Sequence, residues 1–209
     1  MRAISSIAFF ALIVPVTQAQ TLFSTFGPGN SYIQNVGRSF SGADNSITHI
    51  HSDLGWQFST TTSDYARSIS LATRYWEGTN AATVRIHANT IDDRMGAILG
   101  EWQLNNMPFV NASSPPQTID IAPSHLFLSS TEKYWLVLSP PDSTLYAAWM
   151  DNNQGITGRM AWSNGVNNFS YVNNMPMSAF SISSVPEPSS LVALSLVPVV
   201  LRRRKKSAN

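Results

Sequence analysis

The chain has 209 residues, with 13 basic against 12 acidic side chains and no cysteine. The missing thiols exclude disulfide staples, a thiolate nucleophile and a Cys-ligated metal, so stability must come from a packed core and hydrogen bonds. Between residues 20 and 184 seven basic side chains, only one of them a lysine, face eleven acids, a mildly acidic stretch without the electrostatic footprint of a nucleic-acid binder.

Residues 1–19 read as a signal peptide. Arg2 supplies a positive start, 4–16 is mostly apolar, and Thr17-Gln18-Ala19 offers small residues for cleavage after Ala19. Such a leader is handled by the Sec translocon and signal peptidase. Removing it and the tail described below leaves 20–184, the length of one domain with a sizeable core.

Within that domain the chain reads as many short strands divided by turn signals. A strand over 22–26 is followed by the breaker Gly27-Pro28-Gly29-Asn30. Another is expected at 56–59, after the turn at 53–55. Residues 67–76 alternate, with Ile69, Leu71, Thr73 and Tyr75 on one face and Ser68, Ser70, Ala72 and Arg74 on the other, the period of a half-buried strand. Val84, Ile86 and Ala88 alternate against Arg85 and His87. Strands are also expected at 97–104, 118–121, 145–150, 159–162, 169–172 and 179–182. The near-continuous apolar run 134–138 predicts a central strand covered on both faces. One helical turn is expected, near 124–128. Strands at roughly 8–12-residue spacing, with Gly, Pro and Asn turns between them, predict an all-β domain, a β-sandwich or jelly roll.

Chemistry-bearing constellations are sparse. His49 and His51 would share a strand face and could share a metal, with Asp44 and Asp53 nearby in sequence; as two surface imidazoles beside a turn they need no ligand. Asp151-Asn152-Asn153-Gln154-Gly155 could hold Ca²⁺ through oxygen side chains, yet it lacks the spacing and terminal Glu of an EF-hand loop, and Asx and Gly equally suit a plain turn. Asp92-Asp93 carries the same ambiguity. No G-x-S-x-G elbow, P-loop, dinucleotide fingerprint or H-E-x-x-H occurs, and no acid pair sits in a glycosidase pattern. The expectation is therefore no catalytic residue and no cofactor. Six tryptophans remain. Trp76, followed by Glu77-Gly78, and Trp149, beside Asp151, lie near turns. Exposed, they would stack on sugar rings, with the Asn-rich stretch 152–174 supplying hydrogen bonds; buried, they would be ordinary core fillers.

The C-terminal segment 185–209 orders three elements. Val185-Pro186-Glu187-Pro188 comes first, then 189–201 with its apolar run from 191, then the cations Arg202, Arg203, Arg204, Lys205 and Lys206. Proline fixes φ and favours extended geometry, holding 185–188 clear of the domain. Apolar side chains favour the bilayer core, while the clustered cations stay on the cytoplasmic side. Thirteen helical residues reach only about 20 Å, so snorkelling arginines or a thinned bilayer must complete a short transmembrane helix.

This tail resembles the PEP-CTERM sorting signal, which exosortase enzymes are thought to recognise on exported proteins. The resemblance implies a Gram-negative host, export through the inner membrane, processing by exosortase near 185–188, and display at the cell surface or in the extracellular matrix, with exopolysaccharide or biofilm as the setting. Three stretches are similar to the choice-of-anchor domains found upstream of such tails. They are Trp56-Gln57-Phe58, then Asp92-Asp93-Arg94-Met95-Gly96-Ala97-Ile98-Leu99, and 128–138 with its Tyr134-Trp135-Leu136-Val137 core. That similarity implies an extracellular β-protein without an agreed biochemical activity.

Overall fold

Alternating apolar residues and frequent turn formers give fourteen strands among the described residues. The structure is a computed structural model describing residues 20–165 and 168–184; the expected signal peptide and the sorting tail lie outside the described residues. In chain order the strands are β1 (Thr21–Ser24), β2 (Gly37–Ser41), β3 (Leu54–Phe58), β4 (Asp64–Leu71), β5 (Thr73–Glu77), β6 (Ala81–Asn89) and β7 (Met95–Asn105). They continue as β8 (Gln117–Asp120), β9 (Phe127–Leu128), β10 (Tyr134–Ser139), β11 (Tyr146–Met150), β12 (Thr157–Ser163), β13 (Phe169–Pro176) and β14 (Phe180–Ser184). The described chain is all-β. Among the described residues no helix is long and apolar enough to cross a membrane.

The strands form three sheets, with neighbours antiparallel throughout. One runs β1-β14-β4-β8 with β9 added to β4, a six-stranded sheet runs β13-β12-β3-β10-β6-β7, and a three-stranded sheet runs β2-β11-β5. A single core cluster draws on all three. Leu54, Trp56 and Phe58 of β3, Leu136 and Leu138 of β10, Ile69 and Leu71 of β4, Phe180 and Ile182 of β14, and Phe40 and Trp149 of the three-stranded sheet are buried together. Phe23, Phe58, Phe180 and Trp149 make a chain of tilted and edge-on ring contacts at 4.9–5.9 Å, geometry that suits the aromatic quadrupole.

β10 is buried along its whole length. Tyr134, Leu136 and Leu138 face the main core, while Trp135 and Val137 pack on the other side with Ala161, Met95, Phe169 and Tyr171. Both faces of this central strand are covered, as its unbroken apolar run implies.

Three local expectations need correction. The turn expected at 53–55 is already strand, since Leu54 and Gly55 pair with Leu138 and Val137. The alternating run 67–76 is not one strand. It passes from the β4 sheet to the β5 sheet at Ala72, whose N–H donates to Ala179 O (3.1 Å) and whose carbonyl accepts from Met150 N (2.8 Å). Beyond the switch Arg74 is buried instead of solvated, because the outer face of the three-stranded sheet is covered by the chain around Tyr32. The helical turn expected near 124–128 is a 3₁₀ turn at Ala122–Ser124, closed by His125 in the left-handed region (φ 49°). Leu128 is needed in the core and continues as β9.

Candidate binding groove

The outer face of the three-stranded sheet carries the candidate site. Cross-strand register places Ser39 of β2, Ala148 of β11 and Arg74 of β5 in one row, so their neighbours two positions away share that face. Trp76 of β5 and Tyr146 of β11 meet there edge to face, ring centres 5.7 Å apart. The segment 33–36 forms one wall, fixed by Ile33 N donating to Asp151 O (3.0 Å) and Asp151 N donating to Val36 O (2.9 Å). The segment after Pro108 forms the other, fixed alongside β5 by Tyr75 N to Pro108 O (2.9 Å) and Val110 N to Tyr75 O (3.0 Å).

Between the walls lies a groove of two lobes that meet at Gln34. One, of about 330 Å³, is lined by Trp76, Tyr146, Asn35, Asn111 and Ser39 among others. The second, of about 380 Å³, is lined by Tyr32, Asn30, Ser113, Pro115, Pro116 and Thr118. Each lies in the size range of small-ligand clefts. Among the described residues that line the two lobes, none carries a carboxylate, ammonium, guanidinium or imidazole. The amides of Gln34, Asn35 and Asn111 make no side-chain hydrogen bond within the described protein, so their donors and acceptors face the groove and solvent.

Arg74 underpins the wall. Its side chain is 1 % exposed and has no carboxylate partner among the described residues. Nη1 donates to Thr73 O (2.9 Å), Nη2 donates to Tyr32 Oη (2.6 Å), and the guanidinium stacks 5.4 Å from the Tyr32 ring centre. Tyr32 Oη in turn donates to Ser114 O (2.6 Å), tying the two walls together. A buried cation without a counter-ion is costly. Here hydrogen bonds and a ring face offset part of that cost.

A second pair of hollows lies on the outer face of the six-stranded sheet. A cavity of about 390 Å³ is bordered by His51, Asp53, Arg85, His87, Ser139 and Phe169, and one of about 330 Å³ shares His87 and Phe169 and adds Arg94 and Tyr171. The ionisable groups here are largely engaged with one another. Arg85 Nε lies 2.6 Å from Glu101 Oε2, and Nη1 donates to Ser139 Oγ (3.1 Å). His51 Nε2 stands 3.3 Å from Asp53 Oδ1, while Ser163 Oγ donates to Asp53 Oδ2 (2.7 Å). Ser163 is fully buried, so it supports the carboxylate and offers no accessible nucleophile. His87 Nδ1 is 3.1 Å from Gly96 O. Burial pushes the His87 pKa below its usual 6.5, the bond to Gly96 opposes that, and the nearby Arg85 charge lowers it further.

The structure places the other expected site residues as follows. His49 is exposed in a loop with φ 53°, so it does not share a strand face with His51, whose imidazole is turned to Asp53. Among the described residues no group of three or more His, Asp or Glu is arranged to hold a metal ion. Asp151 is buried at the end of β11, bridged to Ser178. Desolvation pushes its carboxyl above the usual carboxylate range, and the Arg38 charge opposes this. The loop after it is organised by Asn152, which accepts from Gln154 N and Ile156 N and donates to Ile156 O and Met177 O, the Asx-turn use of that side chain. Asp93 accepts from Lys133, Asn89 and Gln57; the Lys133 bond first, then Asn89, holds its carboxyl below the usual range.

Trp149 is corrected outright as a glycan-stacking residue. It is fully buried, its Nε1 donates to Ala179 O (3.0 Å), and its ring packs on Phe180. Trp76 alone of the pair reaches a groove. Tyr146, Gln34 and Arg74 were not singled out by the sequence, because only the β11–β5 register and the covering strap bring them to Trp76. No protein-family model matches the chain, and no curated protein matches it.

Proposed function

We propose that this is an exported surface or extracellular-matrix protein with a non-catalytic β-sandwich domain, processed by exosortase at Val185-Pro186-Glu187-Pro188. The observation that carries the reading is the order of that motif, the segment 189–201 with its apolar run from 191, and the cations Arg202 to Lys206. An acid between two prolines is a poor membrane element, so Glu187 gives an interfacial enzyme something distinctive to read. The route runs through Sec export and signal peptidase, with the precursor held in the inner membrane of a Gram-negative cell by its short helix before release to the surface. The sandwich reading is supported by the common core that the six-stranded sheet shares with the other two. Intact mass by cell fraction tests the route. Glu187→Ala is expected to leave full-length precursor in the inner membrane, and normal processing of that variant would remove the sorting assignment.

A second reading concerns what the domain does once displayed, and the Trp76–Tyr146 groove favours it. An aromatic shelf flanked by free amides is how a carbohydrate-binding module holds sugar rings. Exopolysaccharide of the surrounding matrix is the natural partner in that reading.

A further inference from the structure

Resting on the carbohydrate reading of the Trp76 groove, we propose that its ligand is an uncharged polysaccharide strand that runs across both lobes over Gln34. A uronate or sulfated sugar entering this groove would give up water around its charge and meet no cation. The one guanidinium beneath, Arg74, is buried and lines neither lobe; Nη1 donates to Thr73 O and Nη2 to Tyr32 Oη, while Nε has no partner among the described residues. An unpaired buried charge is expensive, so such a ligand is selected against. A neutral sugar meets what it needs: an aromatic shelf at Trp76 and Tyr146 for its C–H face, and the amides of Gln34, Asn35 and Asn111 for its hydroxyls. Gln34 borders both lobes, so a chain longer than one lobe extends past it toward Pro115, Pro116 and Thr118. The walls are already tied by the Tyr32–Ser114 bond, and a preformed groove loses less ordering entropy on binding.

The test is affinity electrophoresis and titration calorimetry on the full chain recovered after export, with dextran, xyloglucan and mixed-linkage β-glucan as neutral probes and alginate and polygalacturonate as acidic ones. Retention by a neutral polymer is expected. It should weaken at least about tenfold in Trp76→Ala, a change equivalent to about 1.4 kcal/mol, and fall in Asn111→Ala, an exposed loop variant that keeps the core intact. Trp162→Ala, remote from the groove, should bind as the parent does. A hexasaccharide of the retained polymer should bind at least about tenfold more tightly than its disaccharide. Equal affinity for the two lengths would overturn the two-lobe path. Retention by the acidic polymers alone, lost in Trp76→Ala, would overturn the uncharged class and leave the carbohydrate reading standing. Retention by no probe would overturn both, and neutral binding indifferent to Trp76 and Asn111 would remove it from this groove.

Discussion

The two outer faces of this protein are built from the same antiparallel material and end in opposite chemistry. On the six-stranded sheet the ionisable side chains pair with each other: Arg85 with Glu101, His51 with Asp53, Lys133 with Asp93. On the three-stranded sheet the lining is uncharged, its amides have no partner in the protein, and the single charge lies buried below. The difference separates a polar face that satisfies itself from one that leaves its hydrogen-bonding groups for something else. On the proposed carbohydrate reading, unpaired amides beside an aromatic shelf mark the binding face, and richness in titratable groups marks the other one.

The largest effect that sharpens this contrast comes from exchanging tryptophans. Trp149→Ala is expected to lower unfolding free energy by about 3–5 kcal/mol, as for other fully buried aromatics cut to Ala. Trp76→Ala, half-buried at the groove, should cost markedly less stability in the same chemical denaturation while removing ligand. Equal stability losses would mean that Trp76 is core and the shelf is illusory.

Next in size is Tyr32→Phe. It keeps the ring over Arg74 but removes the hydroxyl that accepts from Nη2 and donates to Ser114 O. Leaving a buried guanidinium donor unsatisfied is expected to cost about 1–3 kcal/mol, with faster amide hydrogen exchange in 109–116 as the wall loosens.

The smallest effect lies on the ionisable face and is read through pH. His87 has a folded pKa below 6.5, so between that lowered value and 6.5 the unfolded chain binds the proton and the folded chain does not. Its contribution is present above about 6.5 and is lost as pH falls through that window. His87→Gln should flatten the decline in melting temperature between pH 7 and 5. Asp151 acts in the other direction, since its folded pKa stands above 3.8: the folded protein takes that proton first, and acidification relieves a buried charge. The groove should show no counterpart, so neutral-polymer binding is expected to be level over the same range.

Much of the fold is visible in local pattern. The unbroken run at 134–138 marks a strand buried on both faces, and Val84 and Ile86 alternating with Arg85 and His87 mark one with a polar outer side. The switch at Ala72 is invisible locally, because alternation continues straight through it; only the bonds to Ala179 and Met150, remote in sequence, end one sheet and begin another. The same remoteness explains Trp149. Its neighbour Asp151 suggests an open turn, whereas Asp151 pairs with Ser178 and keeps the tryptophan inside. Trp76 was legible as a candidate because Glu77-Gly78 follows it at a strand end. Its companions were not, since a cross-strand neighbour is a property of register.

The Ala72 switch has a mechanical side. β14, the last described strand, lies between β1 and β4, antiparallel to both. In a molecule held by its C-terminal end, tension enters along β14 and is shared laterally by two ladders loaded in shear, many bonds at once. From β4 the force line crosses Ala72 through covalent backbone into β5, the strand that carries Trp76. On the proposed reading of a displayed, polymer-holding domain, the strand next to the C-terminal segment and the strand that carries Trp76 are thus joined through β4 and one continuous stretch of backbone.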